Sequence, residues 1–319
     1  MKYKKIEDCT LLLITHERSE LLKKSLDYYE NFFTEIKVLD SSLKENRNIA
    51  NQIEYYHCKK YTIIQKVLLG LSKTKTKFTI ISPDDDFFFP DSIKAGISYL
   101  KKNSNFVSVS GNYYSFERLD SLKKFNLMYK SYYKDISDAL PLNRIKKICT
   151  NPIAQMTYNV LKTKIIFKSL SRFKLFKQAN FIEDVLTLAT ILFGKHKYLD
   201  INWMIRDGSV NTKYVSSNSH KGLFNYKKKN SKIIFRKFLK SYFDLLSKNN
   251  FIIDKKIVEN YLKKYFSRSR KQTRFFLRDG AIVKVLKKIY KIFWYSIFSF
   301  RYLLFFSKRE REFINIIFK

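Results

Sequence analysis

The chain has 319 residues, 45% of them hydrophobic and 17% aromatic, with only seven Gly and four Pro. That length holds one large core, or one core plus a smaller appendage, and the composition excludes a fibre or a long disordered chain. The formal net charge of +35 calls for a polyanionic neighbour: nucleic acid, an anionic membrane face or a phosphorylated substrate.

Cys9-Thr10-Leu11-Leu12-Leu13-Ile14-Thr15 is a continuous apolar segment suited to a strand buried on both faces. A polar turn, His16 to Glu20, precedes Leu21, Leu22, Leu26 and Tyr29 at helical spacing. Ile36 to Leu39 reads as a second strand that stops at Asp40-Ser41-Ser42. Helical spacing returns from Ile63 to Leu71, and a third strand, Thr79 to Ser82, ends in Pro83-Asp84-Asp85-Asp86. Phe87-Phe88-Phe89 should pack beneath that loop. A helix follows through Ile93, Ile97 and Leu100, and a strand from Phe106 to Gly111. This alternation predicts an α/β fold, a mostly parallel mixed sheet flanked by helices, with polar loops gathered at the strands' carboxyl edge. Thr15, Asp40 and Asp84 to Asp86 should converge there.

Tyr113 to Leu142 has no clear period and reads as irregular surface or a loop over a groove. Ile153 to Val160 is strand-like. An amphipathic helix starts at Phe181-Ile182-Glu183-Asp184 and runs to about Gly194, followed by a strand from Tyr198 to Ile205. Arg206 to His220 has the composition of a mobile loop.

Charge divides the chain. Residues 223–319 hold 26 Lys and Arg against 6 Asp and Glu, and the first 222 hold 37 against 22. Two domains are therefore expected, 1–222 and a basic, aromatic, mainly helical 223–319. Ile292 to Phe306 is the most apolar stretch, but fifteen residues interrupted by Arg301 fall short of a bilayer span. Its lysine- and arginine-rich flanks suit either a helix in the interface of an anionic leaflet or one docked on its own domain. Cys9, Cys58 and Cys149 form no Cys-x-x-Cys pair and read as reduced thiols, and no secretion signal opens the chain. A cytoplasmic protein, peripheral on the inner face of the cell membrane, is the expectation.

Three adjacent carboxylates repel one another and need a compensating cation. A hard divalent ion bridged to phosphate oxygens is one reading, and a polar loop capping the helix at Pro90-Asp91 is the other. Glu183-Asp184 alone would equally serve to complement a helix dipole, and Asp40 to form a turn.

In order and spacing, Leu12 to Arg18, Val38 to Ser42, Ser82 to Phe87 and Ile182 to Val185 resemble the GT-A glycosyltransferases. The likeness is to the inverting, family-2-like bacterial group, within a subgroup marked by a Thr-x-x-Arg opening and an Asp-Asp-Asp-Phe loop. It covers roughly residues 9 to 220. It implies Mg²⁺ or Mn²⁺ on Asp86 and Asp84, with His220 as a third ligand, and a nucleotide-sugar donor at Thr15, Arg18, Asp40, Asp84, Asp85 and Arg206. It also implies Asp184 as the general base, with Glu183 second, and a glycan or lipid-linked acceptor in surface polysaccharide biosynthesis. Lys213 is a further cation for the closing loop. His16, His57 and His196 lack partner spacing and read as structural. A processive synthase is disfavoured because no Gln-x-x-Arg-Trp element is present. The alternatives are a nucleotidyltransferase, against which the absence of glycine from Thr15 to Glu20 counts, and a basic nucleic-acid-binding protein, which leaves the aspartates unexplained. No nucleic acid partner is expected.

Overall fold

The computed structural model describes residues 4–46, 49–50, 53–119, 122–128, 134–151, 155–177, 181–207, 229–274 and 306–317. Its strands are β1 (Ile6–Thr15), β2 (Phe33–Asp40), β3 (Glu54–His57), β4 (Phe78–Pro83), β5 (Asp86–Phe88), β6 (Phe106–Leu119), β7 (Leu122–Met128), β8 (Val160–Lys162) and β9 (Lys195–Asp207). The helices are α1 (Ser19–Tyr29), α2 (Ile63–Ser72), α3 (Pro90–Lys102), α4 (Pro141–Thr150), α5 (Thr163–Leu170), α6 (Phe181–Phe193), α7 (Lys229–Lys248), α8 (Lys255–Arg274) and α9 (Lys308–Ile317).

One sheet runs in the order β3-β2-β1-β4-β8-β6-β9-β5, with β7 also paired to β6. The first four strands are parallel, as expected for units joined by crossover helices. Beyond β4 the sheet is mixed: β8 is antiparallel to β4 and β6, β5 antiparallel to β9, and β6 parallel to β9.

Alternation along the central strands sends side chains to two cores. Cys9, Leu11, Leu13, Val38 and Ile80 meet α1, α3 and α9 on one face. Leu12, Leu39 and Ile81 meet α2, α4, α5 and α6 on the other. Because both faces are covered, β1 and β4 carry the uninterrupted apolar runs visible in the sequence. Local chemistry fixes the helix starts. Thr62 and Gln65 form a reciprocal capping box at α2, and Pro90 opens α3 with Asp91 in its first turn.

Part of the segment expected to be irregular, Tyr113 to Leu142, is ordered. β6 continues to Leu119 and turns back as β7, pairing Phe116 with Phe125, both buried. Charged residues mask the alternation there, and α4 begins at Pro141. Ile153 to Val160, expected as strand-like, holds instead a 3₁₀ turn at Met156–Tyr158 that leads into β8.

The boundary expected at 222/223 lies outside the described residues. α7 and α8 share a core with α6: the ring of Phe238 meets that of Phe181 at 5.4 Å, and Tyr242 donates to the Leu188 carbonyl at 2.9 Å. Of the apolar stretch Ile292 to Phe306, only Phe306 is described. Its ring packs against Phe89, Tyr114 and Phe125, and Phe313 of α9 then meets Phe32, just beyond the end of α1, at 5.3 Å. No helix among the described residues is long and apolar enough to cross a membrane.

Candidate active site

Parallel register puts Thr15 opposite Asp40, and Ile14 opposite Pro83, so the ends of β1, β2 and β4 form one edge. Asp84 and Asp85 make the turn between β4 and β5. The Thr15 hydroxyl donates to Asp84 Oδ2 at 2.7 Å, and the Arg18 guanidinium to Asp84 Oδ1 at 2.9 Å, with Asp85 3.4 Å away. The turn's backbone is held as well. Ser25 Oγ donates to the Asp84 carbonyl at 2.6 Å, the Asp207 N–H to that of Asp85 at 2.9 Å, and the Tyr29 hydroxyl to that of Asp86 at 2.8 Å.

Asp86 lies directly across from Arg206 in the β5–β9 pair. Arg206 donates to both Asp86 oxygens, at 2.8 and 3.0 Å, in a fork that suits a fully buried carboxylate. The sequence placed Arg206 at the start of a loop; it is the penultimate residue of a strand, and the antiparallel pairing gives it a fixed partner. Burial raises the Asp86 pKa to about 6 against the lowering effect of Arg206, and burial likewise raises that of Asp84 against Thr15 and Arg18.

From Arg206 the network continues. Its guanidinium donates to the Tyr158 hydroxyl at 2.6 Å and lies over the Tyr158 ring, and Tyr158 donates to Glu183 Oε1 at 3.2 Å. Glu183 and Asp184 stand in the first turn of α6, both half-buried. They face different ways. Glu183 joins the aspartate loop, whereas Asp184 Oδ1 accepts a hydrogen bond from the Tyr265 hydroxyl of α8 at 2.9 Å. Burial raises the Glu183 pKa, and raises that of Asp184 to about 7 against the Tyr265 hydrogen bond, with Glu183 adding to the rise.

Asp40 makes a local turn, accepting from the Ser42 N–H and hydroxyl, and also from Tyr55 at 2.9 Å. Lys66, which sequence reasoning passed over, is buried beside it and donates to the Thr15 carbonyl at 3.0 Å and to Ser41 at 2.9 Å. Burial lowers its pKa to about 8 against the pull of Asp40. A lysine within the helical run of α2 gave no sign of this. Glu17, at φ 54°, takes the left-handed conformation in the loop after β1, and its N–H donates to Ser42. His16 and His57 contact the Ser41 and Ser42 carbonyls, and His196 is buried between Ser108 and Ser110. His220 and Lys213 lie outside the described residues.

The donor chemistry of Asp84, Asp85 and Asp86 fits a hard divalent ion, being carboxylate oxygen throughout, and an oxygen with one hydrogen bond keeps a second lone pair. Two guanidinium groups already offset part of the negative charge, so the ion's electrostatic gain is smaller than at a bare cluster. Among the described residues, no three His, Cys, Asp or Glu side chains gather as a metal-binding group.

No protein-family profile and no curated protein matches the sequence. Solved structures do. TarS of S. aureus, residues 1–349 in complex with UDP-GlcNAc, superposes with a TM-score of 0.55 over 83% of this chain and 74% of that one, at 14% identity. The fold is of the GT-A type. A second TarS 1–349 structure covers 82% of this chain and 89% of its own at 11% identity and a TM-score of 0.47. Mannosyl-3-phosphoglycerate synthase from Rubrobacter xylanophilus covers 77% and 76% at 10% identity and 0.41. At such identities the likeness concerns architecture, and the chemistry must come from the residues.

Proposed function

We propose that the chain is an inverting glycosyltransferase that moves a sugar from a nucleotide-sugar donor to a glycan or lipid-linked acceptor, in the building of a bacterial surface polysaccharide. The observation that carries this reading is the continuous chain Asp86, Arg206, Tyr158, Glu183, which ties the aspartate turn to the carboxylate-bearing start of α6. Glu183 is fixed to the aspartate turn by this chain, and Asp184, its neighbour in the first turn of α6, is held separately by Tyr265. That TarS was solved with UDP-GlcNAc supports the donor class.

In this reading Thr15, Arg18 and Asp40 hold the nucleotide, and Asp85 lies toward the ribose or sugar. The departing nucleoside diphosphate gains charge, and Arg18 and Arg206 are cations near where it develops. Asp84 and Asp86 would hold Mg²⁺ or Mn²⁺, which would supply stabilisation of the diphosphate's charge without proton transfer. Asp184 accepts the acceptor hydroxyl's proton. Its carboxyl is poised near neutral pH, where a general base works best, and Tyr265 orients it. One base opposite the leaving group suffices for inversion.

Thermal-shift screening of UDP-, GDP-, CMP-, CDP- and dTDP-sugars with and without Mn²⁺, followed by radiolabelled transfer, tests the proposal. One donor class should raise the melting temperature, and Asp86→Ala should abolish that shift. If no nucleotide sugar shifts the protein and none is turned over, the reading falls. Salt-sensitive binding of DNA or RNA in the same preparation would replace it.

A further inference from the structure

The turn after α5 and the flank of α7 enclose an open pocket of about 560 Å³ that contains none of the residues placed above in the site. α7 has two faces. Phe235, Phe238, Tyr242 and Leu245 enter the core, while Ile234, Lys237, Ser241 and Asp244, three or four residues apart, face the pocket with Lys240. Phe176 lines the pocket from the other side, its ring stacked at 4.5 Å on Phe181. Beside it Leu175 is 80% exposed, a large apolar side chain left in water at the pocket wall. Arg172, Lys177, Lys237 and Lys240 supply four cations against one acid, Asp244, which is paired with Arg172 at 3.1 Å.

Cations and apolar surface in one concavity select a ligand that carries both an anion and a hydrocarbon chain. A free nucleotide or a nucleic acid backbone would satisfy the lysines and leave Leu175 and Ile234 wet. A neutral lipid would do the reverse. We propose that this pocket takes the phosphate head group and first acyl carbons of an anionic phospholipid and so seats the protein on an anionic membrane surface. Lys237 and Lys240 contact the phosphate, and Leu175, Phe176 and Ile234 meet the chain. The site differs from the apolar stretch at residues 292–306 and does not depend on the glycosyltransferase reading.

Sedimentation of the full chain with phosphatidylglycerol and with phosphatidylcholine vesicles tests this. The protein should bind the former and not the latter. Each basic residue at such a surface contributes about 1 kcal/mol, roughly fivefold in affinity, so Lys237→Gln with Lys240→Gln should weaken binding about 30-fold. Leu175→Gln, which alters no charge, should weaken it about tenfold. Lys5→Gln with Lys102→Gln, exposed positions that do not line the pocket, removes the same charge and should cost no more than severalfold. Thermal melts confirm that each variant is folded. Equal losses in both double variants would reduce the effect to overall charge and overturn the proposal, as would undiminished binding by Leu175→Gln. Full displacement by inorganic phosphate would also overturn it, by reassigning the site to a soluble anion.

Discussion

Asp184 and Tyr265 meet across 81 residues of sequence, one from the start of α6 and the other from α8. With the Asp184 carboxyl raised to about 7, transfer should fall as pH drops through neutrality, because the protonated acid accepts nothing. Tyr265→Phe removes a hydrogen bond to the charged form. It should move the acidic limb of the kcat/KM profile to higher pH, so that activity at pH 6 suffers more than at pH 9. Asp184→Asn should cost about 10²- to 10⁴-fold above pH 7, and progressively less below it where the wild-type carboxyl is itself protonated, while leaving the donor-induced thermal shift in place. A merely structural Tyr265 would lower activity without moving the limb. Folding is linked to the same proton: the native state retains it between about pH 4 and 7, where the unfolded chain has lost it. Stability from this group is therefore present at low pH and lost as pH rises to 7.

The carboxylates were legible in the sequence because each follows an apolar run or opens an amphipathic helix, positions fixed by local pattern. Tyr158, Tyr265 and Lys66 were not. A tyrosine or lysine among many becomes a site neighbour only through tertiary packing, and this chain has 22 tyrosines.

Among the elements, β9 does the most to shape the site, since it pairs with both β5 and β6 and carries Arg206. Trp203, on the same strand, is fully buried and donates from Nε1 to the Tyr158 carbonyl at 2.8 Å. α3 reaches this indole only because residue 96 is glycine: an added Cβ would lie 2.7 Å from Trp203 Cη2. A large fixed ring cannot swing aside as a flexible chain end would. Gly96→Ala should therefore cost about 1–3 kcal/mol in denaturant unfolding. It should also lower donor affinity, because Trp203 supports both Arg206 and Tyr158. The parallel βα units were readable from continuous apolar runs and helical spacing. The β6–β7 hairpin was not, because its charged residues break the two-residue period, and β3, four polar or aromatic residues long, is too short to show one.

At the scale of the whole molecule, the described helices of the basic C-terminal third, α7, α8 and α9, are part of the two cores. Phe235, Phe238, Tyr242, Val258, Leu262 and Phe266 are all buried in the core that also holds Phe173, Phe181 and Leu188. A chain truncated before Lys229 should uncover this surface, bind a hydrophobic dye and lose its cooperative melt. A soluble truncated chain with a sharp melt would show that residues 1–228 stand alone. The sharp change of charge that sets off residues 223–319 in the sequence does not report the apolar side of α7 and α8, which burial follows.

The three cysteines are all buried and none forms a disulfide, and they are distributed across the molecule: Cys9 in the core under α1 and α3, Cys149 in the core under α6 and α8, and Cys58 just after the edge strand β3. Burial raises the Cys9 thiol far above its ordinary range and raises Cys58 as well, so neither is a ready thiolate in the native state. The protein thus carries its own set of reporters on opening. Alkylation at each thiol registers the local exposure of one layer, and comparing the three rates would order the release of the two cores and the sheet edge without a single engineered label.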